Sequence, residues 1–329
     1  MLVLIRIILG ASTAAVAILG CLALWVQKPA GMAVTLIAMV VVALWAASVF
    51  WWLRSSPKMA AAIALIGLLA LSLWWVSLKP SDDRDWAADV AEHSYGVIEG
   101  DQATLFNVRN FDWRSDTDFT ARWETRRYDL SKIESVDLIL SYWGSPAIAH
   151  TLVSFGFADG QQLVFSVEIR KERHEQFSQI GGFFKQFELS VIAADERDIV
   201  RVRTNVRNED DYLYRVQMSP TSMRSLFAAY VEQANGLKQT PRFYNTITAN
   251  CTTIVYQMMT RIVQGLPWDY RLVLSGYLPE YLFDEGALKG ATTVEEYRAR
   301  GRITDRARAH DSVESSAFSK AIRIGVPGV

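Results

Sequence analysis

Residues 7–26 read IILGASTAAVAILGCLALWV, an uninterrupted stretch without a single charge. At 1.5 Å per residue, about 20 apolar residues in a helix cover the hydrocarbon core of a bilayer. Residues 29–53 and 59–78 meet the same requirement, and neither contains a charge. Lipid offers the backbone no hydrogen-bond partner, so each stretch must satisfy itself as a helix. The connectors, Gln27-Lys28 and residues 54–58, are short enough for tight helical hairpins. Trp25, Trp51, Trp52, Trp74 and Trp75 fall near the C-terminal ends of the three stretches, where interface anchors belong.

Charge placement sets this head apart from the rest. Residues 1–78 carry only Arg6, Lys28, Arg54 and Lys58 and no acid. The 329-residue chain has 34 basic and 35 acidic residues; removing those four bases leaves 30 against 35, a net of −5 over residues 79–329. An acidic body argues against nucleic acid as a partner. With the N-terminus inside, Arg6, Arg54 and Lys58 lie inside, and Lys28, Lys79 and Arg84 outside. The α-amino group tips the balance toward N-in. Three spans then place the body outside the cytoplasm. A cleaved signal peptide is the competing reading, since residues 18–21 (ILGC) faintly resemble a lipoprotein box. The apolar run continues past Cys21, however, and two more spans follow. No ionisable residue lies inside a span, so nothing suggests an ion or proton path.

The expected organisation is a membrane anchor over 1–78, a polar linker over 79–93 and an α+β domain over 94–329. Strand composition recurs at 97–99 and 104–108 around Gly100-Asp101, then at 119–128, 136–142, 148–157, 163–170, 187–193 and 212–218. Asp159-Gly160 predicts a hairpin between the fourth and fifth of these regions. Residues 172–184 read as a helix weakened by Gly181-Gly182. Ser219-Pro220 starts a helix that should stop at Gly236, and residues 251–264 form another before Gly265 and Pro267. Thr293-x-x-Glu296 is a capping box. Strands first and helices after them give a mostly antiparallel sheet packed on helices.

Cys251 is the one cysteine outside the head, so neither a disulfide framework nor a cysteine zinc cage is available. It follows Asn250, a good cap, and precedes Thr252-Thr253 and an apolar helix. A thiol at a helix start feels the positive end of the dipole, which favours thiolate. Asn250 and the amides at Thr252 and beyond are candidates to hold an oxyanion. The plain alternative is a small hydrophobe packing a helix end. A thiol nucleophile needs a base. His93, His174 and His310 read as solvated, whereas His150 sits in a strand. In 163–170 the odd positions are apolar, leaving Ser166, Glu168 and Arg170 on the other face. Matching faces across Asp159-Gly160 with a pairing sum of 320 sets His150 opposite Arg170, with Glu168 diagonal to it. A histidine within reach of a carboxylate is a base with its orienter; a surface patch is the alternative. No G-x-S-x-G, H-E-x-x-H, Walker or G-x-G-x-x-G motif is present. No ligand spacing supports a metal site, and no cofactor is implied.

Several stretches resemble the Lnb N-terminal periplasmic domain family. They are residues 141–145 (SYWGS), 149–151 (AHT), 165–172 (FSVEIRKE), 194–198 (ADERD), the 244–253 run ending Asn250-Cys251-Thr252-Thr253, and 267–270 (PWDY). The resemblance covers roughly residues 94–325 and implies an envelope-facing domain behind membrane spans. It also looks similar to circularly permuted papain-like folds, in which the histidine strand precedes the cysteine helix. That likeness would map His150 to the base and Cys251 to the nucleophile; Glu168 is chosen by geometry.

Two function classes follow. One is a membrane-anchored thiol hydrolase or acyltransferase acting on an amide or ester of an envelope peptide, lipoprotein or lipid. The other is a non-catalytic envelope binding or assembly module. Aromatic residues such as Trp143, Tyr142 and Trp268 would suit a binding groove in either case. A membrane-complex subunit using its spans as contacts is a third reading.

Overall fold

Three long helices form where the sequence is apolar: α1 (Leu2–Gln27), α2 (Met32–Ser55) and α3 (Pro57–Ser77). The computed structural model describes residues 1–311 and 314–329. Lys28 ends α1 in the left-handed region (φ 44°), returning its N–H to the Leu24 carbonyl. Ser56 caps α3 by accepting from the Met59 amide, and Pro57 occupies the first turn. Most of the helical surface is bare apolar side chain, and by length and mean hydropathy each helix can cross a membrane. Where helices meet, contact is close. A Cβ on Gly67 would lie 2.1 Å from the Trp45 ring, whose Nε1 donates to the Ile63 carbonyl (2.8 Å).

The chain divides into two compact units. The first is Met1–Ser81 with Phe177–Phe187; the second is Asp82–Gln176 with Glu188–Val329.

The second unit opens with β1 (Tyr95–Glu99), β2 (Gln102–Arg109), β3 (Asp112–Trp113), β4 (Phe119–Thr120) and β5 (Trp123–Asp129). The expected 119–128 strand is thus split in two. Then come β6 (Ile133–Tyr142), β7 (Ala149–Phe157), β8 (Gln162–Arg170) and β9 (Glu188–Ala194), followed by α4 (Glu196–Arg201), β10 (Asp210–Val216), α5 (Pro220–Gln239) and α6 (Thr253–Ile262). Four short helices close the chain: α7 (Leu278–Asp284), α8 (Val294–Gly301), α9 (Thr304–Ala309) and α10 (Ser315–Ile322). Among the described residues the main sheet runs β1-β2-β9-β8-β7-β6-β10, with β5 on β2; every pairing is antiparallel except the single β2–β9 contact. The architecture is α+β with a mostly antiparallel sheet.

Helices cover both faces of this sheet. Odd positions of β7 and β8 (Val153, Phe155, Phe165) pack on Phe227 and Tyr230 of α5 and Ile254 of α6. Even positions (Leu152, Val164) pack on Ile199 of α4, Ala307 of α9 and Phe318 of α10. Burial on both faces makes β7 nearly continuous in buried residues.

Several expectations are corrected. Residues 172–184 do not form a helix; only a 3-10 turn at Gly181–Phe183 appears there. Helix α5 runs through Gly236 to Gln239, because burying Leu237 (1% exposed) outweighs the roughly 1 kcal/mol cost of an internal glycine. The β7–β8 register sums to 318, as in Val153 opposite Phe165, not 320. The loop has three residues, but it closes one pair earlier, with the Phe157 amide on the Gln161 carbonyl and Gly160 at φ 84°. A shift of two preserves every side-chain face; a shift of one would have inverted them. Residues 82–93, expected as a linker, pack into the second unit. Arg170 of β8 binds the Val90 and Ala91 carbonyls and stacks 4.3 Å from the buried Trp86 ring. His93, expected in solvent, is buried and bonded to Asp82 (2.7 Å).

Candidate active site

The site forms where β7 and β8 part. Their ladder ends at Leu152–Ser166, while His150 stays paired to Ser141 of β6 and Glu168 to Ser190 of β9. The gap leaves room for His150 to turn across to its neighbour. Its Nε2 lies 2.7 Å from Ser166 Oγ and 3.1 Å from Glu168 Oε1. Ser166 donates onward to Glu168 Oε1 (2.7 Å), and the Arg203 guanidinium donates to the same oxygen (2.8 Å). Arg203 belongs to the π-helical turn Val202–Val206, which continues α4.

Cys251 comes from the opposite side of the sheet. It lies two residues before α6, in the cluster that includes Ala149 and Val153, and His150 acts electrostatically on its thiol. Burial favours the neutral thiol, but the charge and hydrogen bond of His150 outweigh it and bring the thiol below its usual range; the Thr151 backbone and the Thr252 hydroxyl add to this. Burial also opposes the imidazolium. The Glu168 carboxylate and Cys251 more than offset that burial and the repulsion of Arg203, raising His150 to about 9. Glu168 is held well below the usual carboxylate range: burial opposes its charge, while His150 and Arg203 stabilise it. Residues 251, 150 and 168 therefore form a row in which each neighbour favours the charge of the next, with 14% of the His150 side chain still accessible.

The residues expected beside the thiol divide. The Asn250 carboxamide is a cap: Oδ1 accepts from the Thr252 and Thr253 amides (2.9 and 2.8 Å), and Nδ2 donates to the Thr246 carbonyl (2.7 Å). The Asn250 carboxamide and the Thr252 amide thus have partners within the chain. The Thr252 hydroxyl remains close, 3.9 Å from Cys251 Sγ and 2.9 Å from Thr151 Oγ1. Trp143 sits half-buried in the β6–β7 turn.

Thr151 and Thr252 also line a cavity of about 350 Å³. Its walls are largely aliphatic, including Leu138, Val153, Leu226, Val255 and Met259. The segment between lining residues Leu266 and Leu272 exposes Trp268 and Tyr270.

Two residues of the candidate site were not singled out in the sequence, Ser166 and Arg203. Ser166 was detectable in principle, since strand parity puts it on the His150 face. Arg203 carried no local signal, because only the fold returns residue 203 to residue 168.

A histidine in the gap between two central strands, coupled to a thiol just ahead of a helix, defines a class of α+β domain with a candidate thiol site. Residues 119–276 match the family model described as the Lnb N-terminal periplasmic domain. The matched segment contains Cys251, His150 and Glu168 and is shorter than the 94–325 expected. No curated protein and no solved structure gives a match. With three membrane-length helices ahead of it, the protein is an inner-membrane protein whose C-terminal domain is periplasmic.

Proposed function

We propose that the periplasmic domain is a cysteine-dependent hydrolase or acyltransferase whose substrate is an acyl compound of the envelope, a lipid or lipoprotein. The observation carrying this reading is the Cys251–His150–Glu168 row beside an aliphatic cavity. A cavity of about 350 Å³ falls within the ~300–1,000 Å³ range of small-molecule sites. Each methylene it takes from water is worth ~0.8 kcal/mol, so a long acyl chain gains most from such walls.

In the first step the Cys251 thiolate attacks the carbonyl carbon and a C–S bond forms. The carbonyl–oxygen or carbonyl–nitrogen bond of the substrate breaks, and His150 gives its proton to the leaving group. Water or an amine then attacks the thioester. His150 takes the proton of that nucleophile, and the C–S bond breaks to restore the thiolate. Nε2 is engaged by Ser166 and Glu168, which leaves Nδ1 for the thiol. Glu168 fixes the ring and favours its charged form, and Arg203 holds Glu168. The order of strand histidine before helix cysteine is that of a permuted papain-like fold, which supports the same assignment.

A non-catalytic binding module on this fold is the second reading. It is favoured by Asn250, which consumes the helix-start amides that an oxyanion would use. An alkynyl fatty-acyl ester offered to the purified protein separates the two. Hydroxylamine-labile labelling that disappears in Cys251→Ser supports the enzyme, and absence of any thioester in the wild type leaves the binding module.

A further inference from the structure

The loop between β8 and β9 contains FSQIGGFFKQF, residues 177–187. It groups with the membrane helices and not with the strands it connects. Two contacts tie it to helix ends. Gln27, the last residue of α1, donates from Nε2 to the Phe184 carbonyl (2.6 Å). Lys185 donates from Nζ to the Trp75 carbonyl (2.8 Å) and the Leu78 carbonyl (3.4 Å) at the end of α3, and lies 4.7 Å from the Trp75 ring centroid. A cation over the last carbonyls of a helix is favourable. Both helix ends are on the side where the chain leaves the membrane, at the level of Trp25, Trp74 and Trp75.

The loop is internally built. The Phe183 and Phe184 amides donate to the Ile180 and Gly181 carbonyls, the Gln186 amide also reaches Gly181, and Ser178 Oγ accepts from the Gly181 amide. A Cβ on Gly181 would lie 1.9 Å from Gln186 Oε1, so the Gln186 side chain packs directly on this glycine. Yet this fixed loop leaves Ile180 57%, Phe177 51% and Phe183 42% exposed. Three large apolar side chains presented to water would be costly, at about 25 cal/mol for each Å² left wet. The bilayer that holds α1 and α3 supplies their solvent.

We propose that residues 177–187 form an interfacial loop whose Phe177, Ile180 and Phe183 enter the periplasmic leaflet, with the membrane lipid as its partner. Amphipathic segments of this kind bury their apolar face ~5–10 Å into the headgroup and acyl boundary. The loop thereby adds a lipid attachment within the chain of the periplasmic domain, besides the three spans. The inference is independent of any chemistry at Cys251.

The test uses the full chain in nanodiscs of phosphatidylethanolamine and phosphatidylglycerol. Ile180→Cys in a Cys21→Ala, Cys251→Ser background is labelled with the fluorophore NBD. The expected result is blue-shifted emission, protection from iodide, and stronger quenching by shallow nitroxide lipids than by deep ones. Phe183→Cys gives the same reading if Ile180→Cys does not fold. Iodide access without nitroxide quenching would overturn the proposal. Protection from iodide and nitroxide lipids together would overturn it as well, because the face would then lie against protein.

Discussion

Arg323 and Arg203 each anchor a buried charged cluster in the periplasmic unit, and only the second resembles a site. In the first, Arg323 donates to Asp137 (3.0 Å), to both oxygens of Glu196 (2.8 and 2.6 Å) and to Gln162 (3.1 Å), while Arg215 pairs with Asp137 from the other side. Ser154 donates to Glu196 as well. Asp137 and Glu196 are fully buried, and every charge has its opposite. In the second, Arg203 serves Glu168, Glu168 serves His150, and His150 serves a thiol beside an apolar cavity. Burial and charge are common to both. What distinguishes the second is that its row ends on a thiol whose neighbours Thr151 and Thr252 line a cavity. Buried ion pairs locate sites poorly unless such an open end is found.

The comparison can be broken or sharpened in order of effect. Cys251→Ser should abolish acyl labelling altogether while leaving the melting temperature nearly unchanged, as measured by mass spectrometry and thermal shift. Labelling that survives would move the nucleophile elsewhere. His150→Ala should slow alkylation of Cys251 at pH ~6.5 by roughly 10–100-fold, since an ordinary thiol of pKa ~8.5 is only ~1% thiolate there. An unchanged stopped-flow alkylation rate would disconnect the two residues. Arg323→Met should do the reverse. It strands the buried Glu196 carboxylate and leaves Asp137 with Arg215 alone, and should cost about 3–5 kcal/mol, read as a fall in Tm, with low-pH alkylation of the folded protein unaltered. A loss of thiol reactivity there would join the clusters into one. Glu168→Gln should slow low-pH alkylation only a few-fold, because it removes the partner of the imidazolium and not the imidazolium.

The pH dependence of stability offers a further check. His150 titrates higher in the folded protein, about 9, than in an unfolded chain, ~6.5. Its contribution is therefore complete below pH ~6.5 and is lost as pH rises through about 9. The stability difference between wild type and His150→Ala should shrink over that interval in denaturation experiments. A difference that is flat with pH would mean that the ring is neutral.

Much of this was written in local sequence. Three apolar stretches dictate helices because lipid leaves the backbone no other partner. Strand period fixes which face His150, Ser166 and Glu168 share, and that parity survived a register error of two. Asn250 before Cys251 announced a helix start. Other features depend on residues far apart in the chain. The register followed from where the 158–160 turn closed. Arg203 reached Glu168 only after α4 folded back over the sheet, and α9 and α10 then turned an expected outer face into an interior. Residues 172–184 read as a helix weakened by Gly181-Gly182, yet only a 3-10 turn forms there, and Phe184 and Lys185 bond to Gln27 and Trp75. Sequence by itself determined the spans, the strand faces and the position of the thiol, because those depend on spacings of a few residues. Tertiary structure alone decided that Cys251 meets His150 and that a cavity lies beside them, because a packed core selects partners by shape across a hundred residues.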